Sequence, residues 1–230
     1  MFLQEQDIEY LKKEFAPMTT DVYMTLFVSE SDCQYCKDEE TLLKELKETS
    51  DKLHLEIKNI NTDKEDAAKY NVTQAPTLIL GEKDKDFGIN FIGIPAGHEF
   101  SALLADVKMI GTSEHGLSEE TLTALAAVDK PANLLVFVTP SCPHCPGATH
   151  MGHKLAYVKE NWRSSMVEAM EFPEMSQRYE VQAVPRIVTN DDAYFEGNMP
   201  EPMFVDMVIK AITGQSGVQR MGLADNKPMA

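Results

Sequence analysis

The sequence predicts an α/β protein in which one structural unit occurs twice in tandem. Three observations carry that prediction. Apolar runs of strand length alternate with stretches of helical period. Two C-x-x-C pairs, "CQYC" at 33–36 and "CPHC" at 142–145, each follow such an apolar run. Both pairs also stand in one register to a later proline. The offset from Cys33 to Cys142 is 109 (142 − 33), the same as from Cys36 to Cys145, and it carries Tyr70 onto Tyr179, Val72 onto Val181, Pro76 onto Pro185 and Gly88 onto Gly197. Either proline-containing strand alone is unremarkable, but a proline 43 residues after the first cysteine in both copies (76 − 33 and 185 − 142) implies duplication.

The elements follow in order within each copy. A buried-looking strand, "VYMTLFV" or "NLLVFV", runs into the cysteines. A helix comes next. In the second copy Ala148, Met151, Leu155, Val158 and Trp162 repeat at 3,4,3,4 and mark one apolar face, and in the first Leu42, Leu43, Leu46 and Leu53 are less regular. A mixed strand, a short helix, the proline-led strand ("YNVTQAPTLIL", "YEVQAVPRIVT") and a closing amphipathic helix complete the unit. The boundary is expected in "GTSEHGLS", 111–118, with Ser118 as N-cap and Glu119 and Glu120 in a favourable first turn. That gives units at 1–115 and 116–230. The segment from Gly214 onward has little apolar period and reads as a tail.

Composition narrows the function classes. A chain of 230 residues with 43% hydrophobic and 25% charged residues is an ordinary folded one. Thirty-seven acidic against 21 basic side chains give a net charge of −16, which repels polyanions and sets nucleic acid aside as a partner. No apolar run approaches the roughly 20 residues of a membrane helix, so no membrane association is expected. "MFLQEQDIEYLKKEF" mixes acids into every turn and does not read as a signal peptide. The expected compartment is the cytoplasm, where thiols stay reduced. All four cysteines lie in the two pairs, which points to redox or metal chemistry rather than stapling.

A C-x-x-C that opens a helix after a strand places its first sulfur over the helix N-terminus. Free amides and the positive end of the dipole stabilise a thiolate there. Cys33 and Cys142 are therefore the expected attacking sulfurs, with Cys36 and Cys145, less exposed, as resolving thiols.

On these motifs each half resembles a thioredoxin or glutaredoxin fold, a central mixed β-sheet flanked by helices. The resemblance implies that the proline opposite the site is cis and that the residue before it exposes backbone to substrate. Ala75 with Pro76 and Val184 with Pro185 match that motif. Two such units, each with an intact C-x-x-C, resemble the glutaredoxin-like protein disulfide oxidoreductases of thermophilic archaea and bacteria. That resemblance implies thiol–disulfide exchange with protein thiols and disulfides, and redox-active disulfides in place of any cofactor. Thioredoxins proper carry "WCGPC" and a buried aspartate on the preceding strand, whereas Phe27 and Val136 stand at those positions here. With no nucleotide or flavin fingerprint, reducing equivalents are expected from a thioredoxin-reductase-like flavoprotein or a small thiol.

The same motifs fit other readings. The chain is also similar to the N-terminal domain of the alkyl hydroperoxide reductase flavoprotein, an electron carrier between flavin and a peroxiredoxin-type peroxidase, in which one unit has lost its cysteines. A client-binding module is a third class. Two C-x-x-C pairs can also form a Cys₄ zinc site, but zinc knuckles sit on short loops, and no metal ligand is assigned. His150 and His153 are expected on the solvated side of their helix, His54, His98 and His115 at the surface or in loops, and Trp162 in the core. Tyr35 faces substrate or a loop.

The two pairs differ in their neighbours. Glu30, Asp32, Asp38, Glu39 and Glu40 crowd the first against Lys37 alone, which should raise the pKa of Cys33. Residues 139–159 contain no carboxylate. Pro143 fixes the chain at the helix start, and His144 between the sulfurs favours a thiolate. The second site is thus expected to be the more oxidising and dominant one.

Overall fold

Strand β1 (Val22–Val28) sets the frame. Its alternation sends Val22, Met24 and Leu26 into the main core and Phe27 into a small cluster on the opposite face. In a computed structural model that describes residues 2–31 and 33–221, the first unit runs α1 (Glu5–Phe15), β1, α2 (Cys36–Lys47), β2 (Leu53–Asn59), α3 (Lys64–Lys69), β3 (Thr77–Glu82), β4 (Lys85–Ile92) and α4 (Phe100–Thr112). The second runs α5 (Glu119–Ala126), β5 (Ala132–Val138), α6 (Cys145–Val158), β6 (Trp162–Glu168), α7 (Pro173–Arg178), β7 (Arg186–Thr189), β8 (Ala193–Glu196), α8 (Glu201–Thr213) and β9 (Gln219–Arg220).

The two units share a single mixed sheet of nine strands in the order β2-β1-β3-β4-β6-β5-β7-β8-β9. The join is β4 beside β6, a parallel ladder pairing Ile89 through Ile92 with Ser164 through Val167. Within each unit the strand before the cysteines pairs parallel with one neighbour and antiparallel with the other. Hence β1 and β5 run the same way, and both cysteine pairs emerge at the same edge of the sheet. The ladder between them is β1-β3-β4-β6-β5. Four strand steps of ~4.8 Å separate the two pairs by roughly 19 Å.

One face of the sheet carries the main core. Leu42, Leu43 and Leu46 of α2, Leu103, Val107 and Ile110 of α4, Leu155 of α6, and Phe204 and Val208 of α8 are all buried there. Each such aliphatic side chain contributes about 1.5–3 kcal/mol on burial. The other face holds two small clusters, one under α3 around Phe27 and Ile79 and one under α7 around Phe137 and Val167. None of the described helices is long and apolar enough to cross a membrane.

Ser118 caps α5, its hydroxyl accepting the Thr121 N–H at 3.2 Å with Glu119 and Glu120 in the first turn. Several expectations are corrected. The helix after the second cysteine pair stops at Val158, and Trp162 opens β6, buried with its indole N–H donating to the Lys130 carbonyl. Leu53 likewise starts β2. The 109-residue register does not extend to Gly88 and Gly197. The N–H groups that meet the carbonyls of Pro76 and Pro185 belong to Gly93 and Gly197. These lie 104 apart (197 − 93), so the first unit's β3–β4 hairpin is five residues longer, and Gly88 serves another purpose. Gln219 and Arg220 of the expected tail form β9 against β8, and residues 222–230 lie outside the described residues.

Candidate active site

Each cysteine pair sits where its strand hands over to its helix. Cys36 and Cys145 are the first residues of α2 and α6, and both are buried. Cys33 and Cys142, in the preceding turns, are partly exposed. Both pairs are closed as disulfides, with Cα–Cα distances of 5.6 and 5.5 Å. The Ser29 N–H points at Cys36 Sγ from 3.3 Å. In the second unit Cys145 N–H donates to the Cys142 carbonyl at 3.4 Å, tightening the turn. Pro143 and His144 are exposed. His144 is the N-cap residue of α6, and the proline inside the first helical turn is Pro146 rather than Pro143.

The Ala75–Pro76 and Val184–Pro185 peptide bonds are cis. Both prolines are buried, while Ala75 and Val184 keep some exposure. The Val184 carbonyl oxygen lies 3.8 Å from Cys142 Sγ. Around the first pair, Cys33, Gln34, Tyr35, Ala75, Pro76, Glu171 and Phe172 line one cavity of about 520 Å³. Cys33 thus opens on a cavity walled by Ala75 and Pro76, and Cys142 lies beside the Val184 carbonyl.

A shared Cys₄ zinc site does not fit this geometry. Zinc–sulfur bonds of about 2.3 Å bring all four sulfurs within about 4 Å of one another, and the intervening strands hold the two pairs much farther apart.

The charges near the pairs differ from the sequence expectation. Glu30 and Asp38 are exposed, as is Lys37, and Glu40 is paired with Lys44. Asp32 lies outside the described residues. Glu39 is fully buried, and neither carboxylate oxygen has a hydrogen-bond partner among the described residues. Burial, with the Glu171 charge adding to it, raises the Glu39 pKa well above its ordinary value. It therefore stands as a neutral acid, not as one of the like charges around Cys33. A signal for this existed: Glu39 lies on the same stripe of α2 as Cys36, Leu42, Leu43 and Leu46.

The histidines of α6 are corrected too. His153 is fully buried and His150 mostly so, and their Nδ1 atoms each lie 2.5 Å from a different oxygen of Asp106, a buried residue of α4. Burial pushes Asp106 up, but His153 and then His150 outweigh it and hold its pKa below the ordinary carboxylate value. This cluster joins the helices of the two units. Nearby, Glu99 accepts a hydrogen bond from the Thr149 hydroxyl at 2.9 Å. Burial lifts its pKa to about 7, opposed by that bond and assisted by Asp106.

The second unit also reaches toward the first cysteine pair. Glu171, in the turn after β6, accepts the Ile94 N–H at 2.8 Å, and its own N–H donates to Glu168 at 2.5 Å. Burial raises Glu171 to about 7 against the Ile94 bond, with the Glu168 charge adding to the rise.

A family model described as Thioredoxin domain matches residues 24–104 and again 132–210. The F component of the Pseudomonas putida alkyl hydroperoxide reductase is 26% identical over 124 residues, 54% of this chain and 24% of that protein. An NADH dehydrogenase of Ferdinandcohnia aciditolerans is 22% identical over 230 residues, 99% of this chain and 40% of that protein. The chain spans less than half the length of these curated relatives. Among solved structures, a protein disulfide oxidoreductase from Aeropyrum pernix k1 superimposes with a TM-score of 0.85 at 29% identity, over 94% of this chain and 96% of that one. The C503A mutant of the alkylhydroperoxide reductase F component from Enterococcus faecalis (V583) has a TM-score of 0.84 at 22% identity, over 90% of this chain and 100% of that one. At that identity the likeness is one of fold.

Proposed function

The chain belongs to the thioredoxin domain family, matched twice along its length, and on that premise we propose that it is a dithiol–disulfide oxidoreductase that reduces, forms or isomerises protein disulfides. The observation that carries the reading is the repeated geometry: a partly exposed sulfur and a buried one at a strand–helix junction, closed as a disulfide, with Val184 beside the second pair and Ala75 beside the first. The near full-length likeness to a protein disulfide oxidoreductase supports it.

Residues 1–115 carry the first pair and 116–230 the second. In the reducing direction a Cys142 thiolate attacks a client disulfide, forming a mixed disulfide and releasing one client thiolate. Cys145 then attacks Cys142 Sγ, closing the internal disulfide and releasing the second. In the oxidising direction a client thiolate opens the Cys142–Cys145 disulfide, and a second client thiol releases the product. Cys33 and Cys36 run the same cycle or pass electrons to the second pair. The main chain at Ala75 and Val184 pairs with the client strand, which keeps side-chain selectivity low. His144 and Pro143 tune the second pair toward the oxidising side. Electrons come from a thioredoxin-reductase-like flavoprotein or a small thiol, in the cytoplasm.

Insulin-disulfide reduction by dithiothreitol tests this, with wild type compared with Cys33→Ser and Cys142→Ser and the protein assayed for zinc. Zinc-free protein that loses most of its activity on Cys142→Ser and little on Cys33→Ser is the expected result. No activity in the wild type, with stoichiometric zinc, overturns it. A second reading, an electron carrier that reduces a peroxiredoxin, draws on the likeness to the F component of alkyl hydroperoxide reductase. It gains if a peroxiredoxin disulfide is reduced much faster than insulin.

A further inference from the structure

The turn that follows β6 brings a carboxyl group of the second unit into the reaction space of the first. Glu171 and Cys33 line the same cavity of about 520 Å³, and Ala75 and Pro76 form another part of its wall. The turn is held there by backbone as well as side chain. The Ile94 N–H binds Glu171 Oε1, and Gly93, at φ +93°, leaves room where a Cβ would stand 3.1 Å from that same oxygen and 2.7 Å from Glu168 Cβ. Within electrostatic reach of Glu171 is Glu39, three residues after Cys36 on one face of α2 and buried with both oxygens unpartnered among the described residues. A buried carboxyl group without hydrogen bonds costs stability. We propose that Glu171, lent by the second unit, is the proton-transfer group of the first cysteine pair, with Glu39 as the buried carboxyl it works against. The inference rests on the reading of Cys33 and Cys36 as an exchange-active pair.

The step it serves is resolution of the mixed disulfide. Cys36 enters as a buried thiol and must lose its proton before it can attack. That proton passes to the Glu171 carboxylate, directly or through one water. The Cys36 thiolate then attacks Cys33 Sγ, the Cys36–Cys33 bond forms, and the bond from Cys33 to the client sulfur breaks with its electron pair leaving on the client. The client thiolate takes the proton back from Glu171, which returns to its starting state. One disulfide is exchanged for another and one proton is moved. The groups that face Glu171 are Glu39 from α2, which is neutral and adds no charge, and Glu168 from β6, whose charge adds to burial in favouring the neutral carboxyl. Arg178 of α7 lines a neighbouring cavity together with Glu171 and brings positive charge to that side. The group is thus poised to take up and return a proton near neutral pH.

The test uses the full chain carrying Cys142→Ser and Cys145→Ser, so that only the first pair reacts. Exchange with a peptide disulfide is followed from pH 5.5 to 8.5, with and without Glu171→Gln. An inflection near pH 7 that disappears in Glu171→Gln, with the rate at pH 7 down about 10- to 100-fold and Glu171→Asp recovering part of both, is the expected result. A loss of rate that leaves the inflection in place makes Glu171 structural and overturns the proposal, as does an unchanged profile. If the parent shows no exchange at all, the reading of the first pair as active falls, and the proposal with it.

Discussion

Glu99 and Asp106 show how one buried seam can carry two carboxyl groups with opposite pH behaviour. Asp106 is ionised because two imidazoles face it, and its depressed pKa gives stability that is present above the unfolded value and lost only as pH falls through the lower folded value. Glu99 is stripped of water by burial, opposed only by the Thr149 hydroxyl and assisted by the Asp106 charge, and its pKa is raised from 4.5 to about 7. The folded state therefore binds its proton more tightly than the unfolded chain. That stability is full below 4.5 and is lost as pH rises through about 7. Between pH 5 and 7.5 the shift is worth about 2 kcal/mol. Glu99→Gln should flatten the fall in stability over that range by about this amount, read by chemical denaturation at the two pH values, and an unchanged slope would show that Glu99 is ionised in the fold. None of this was legible in the sequence. His150 and His153 have a helical spacing that looks solvated, and their partner lies on another helix, 44 and 47 residues away. Local periodicity says which face a residue occupies, but not what arrives to cover that face. The cysteines and the prolines were legible because each copy repeats them at one interval.

Among the elements, the glycines of the β4–α4 region decide how closely the units approach. Gly97 has φ +61°, and a Cβ there would stand 2.4 Å from the Pro140 carbonyl oxygen, in the turn that leads to Cys142. Gly214 has φ +79° at the end of α8, with open space around it. Both positions strain an L-residue, but only Gly97 adds a collision with backbone of the other unit. Gly97→Ala should lower Tm by clearly more than Gly214→Ala, which should cost about 1 kcal/mol or about 2–4 °C. Equal losses in a thermal melt would mean that the loop yields and the contact is loose. The strand and helix order was legible from apolar runs, and the Ser118 cap from residue type alone. The hairpin lengths were not: the repeat's register runs past its end onto Gly88, whose φ of +72° serves a close approach to the Trp162 carbonyl. The true counterpart of Gly197 is identified only by the backbone bond that Gly93 makes to Pro76.

For the whole molecule, duplication in the sequence hides fusion in the structure. The sequence separates units at 1–115 and 116–230, yet the sheet continues across the join through β4 and β6. On the covered face, α4 packs on α6 with Asp106 bridging to His150 and His153, and the His153 ring sits edge-on to Phe91 of β4 at 4.9 Å. Cutting the chain at residue 115 would therefore bare the β4 edge, with Ile89 and Phe91 now wholly buried, and leave the Asp106 carboxylate without its two partners. An open apolar strand edge recruits other chains. The intact chain should accordingly unfold in a single transition, coincident by far-ultraviolet circular dichroism and by the fluorescence of Trp162 in β6. Residues 1–115 and 116–230 made separately should aggregate or stay partly unfolded, and should regain a native spectrum when mixed. Two resolved transitions, with each half soluble and folded alone, would mean that the shared sheet is only a docking contact, and the two cysteine pairs could then work independently. A single transition ties the pairs mechanically, since the turns carrying Glu171 and Gly97 can reach across only while the sheet is whole.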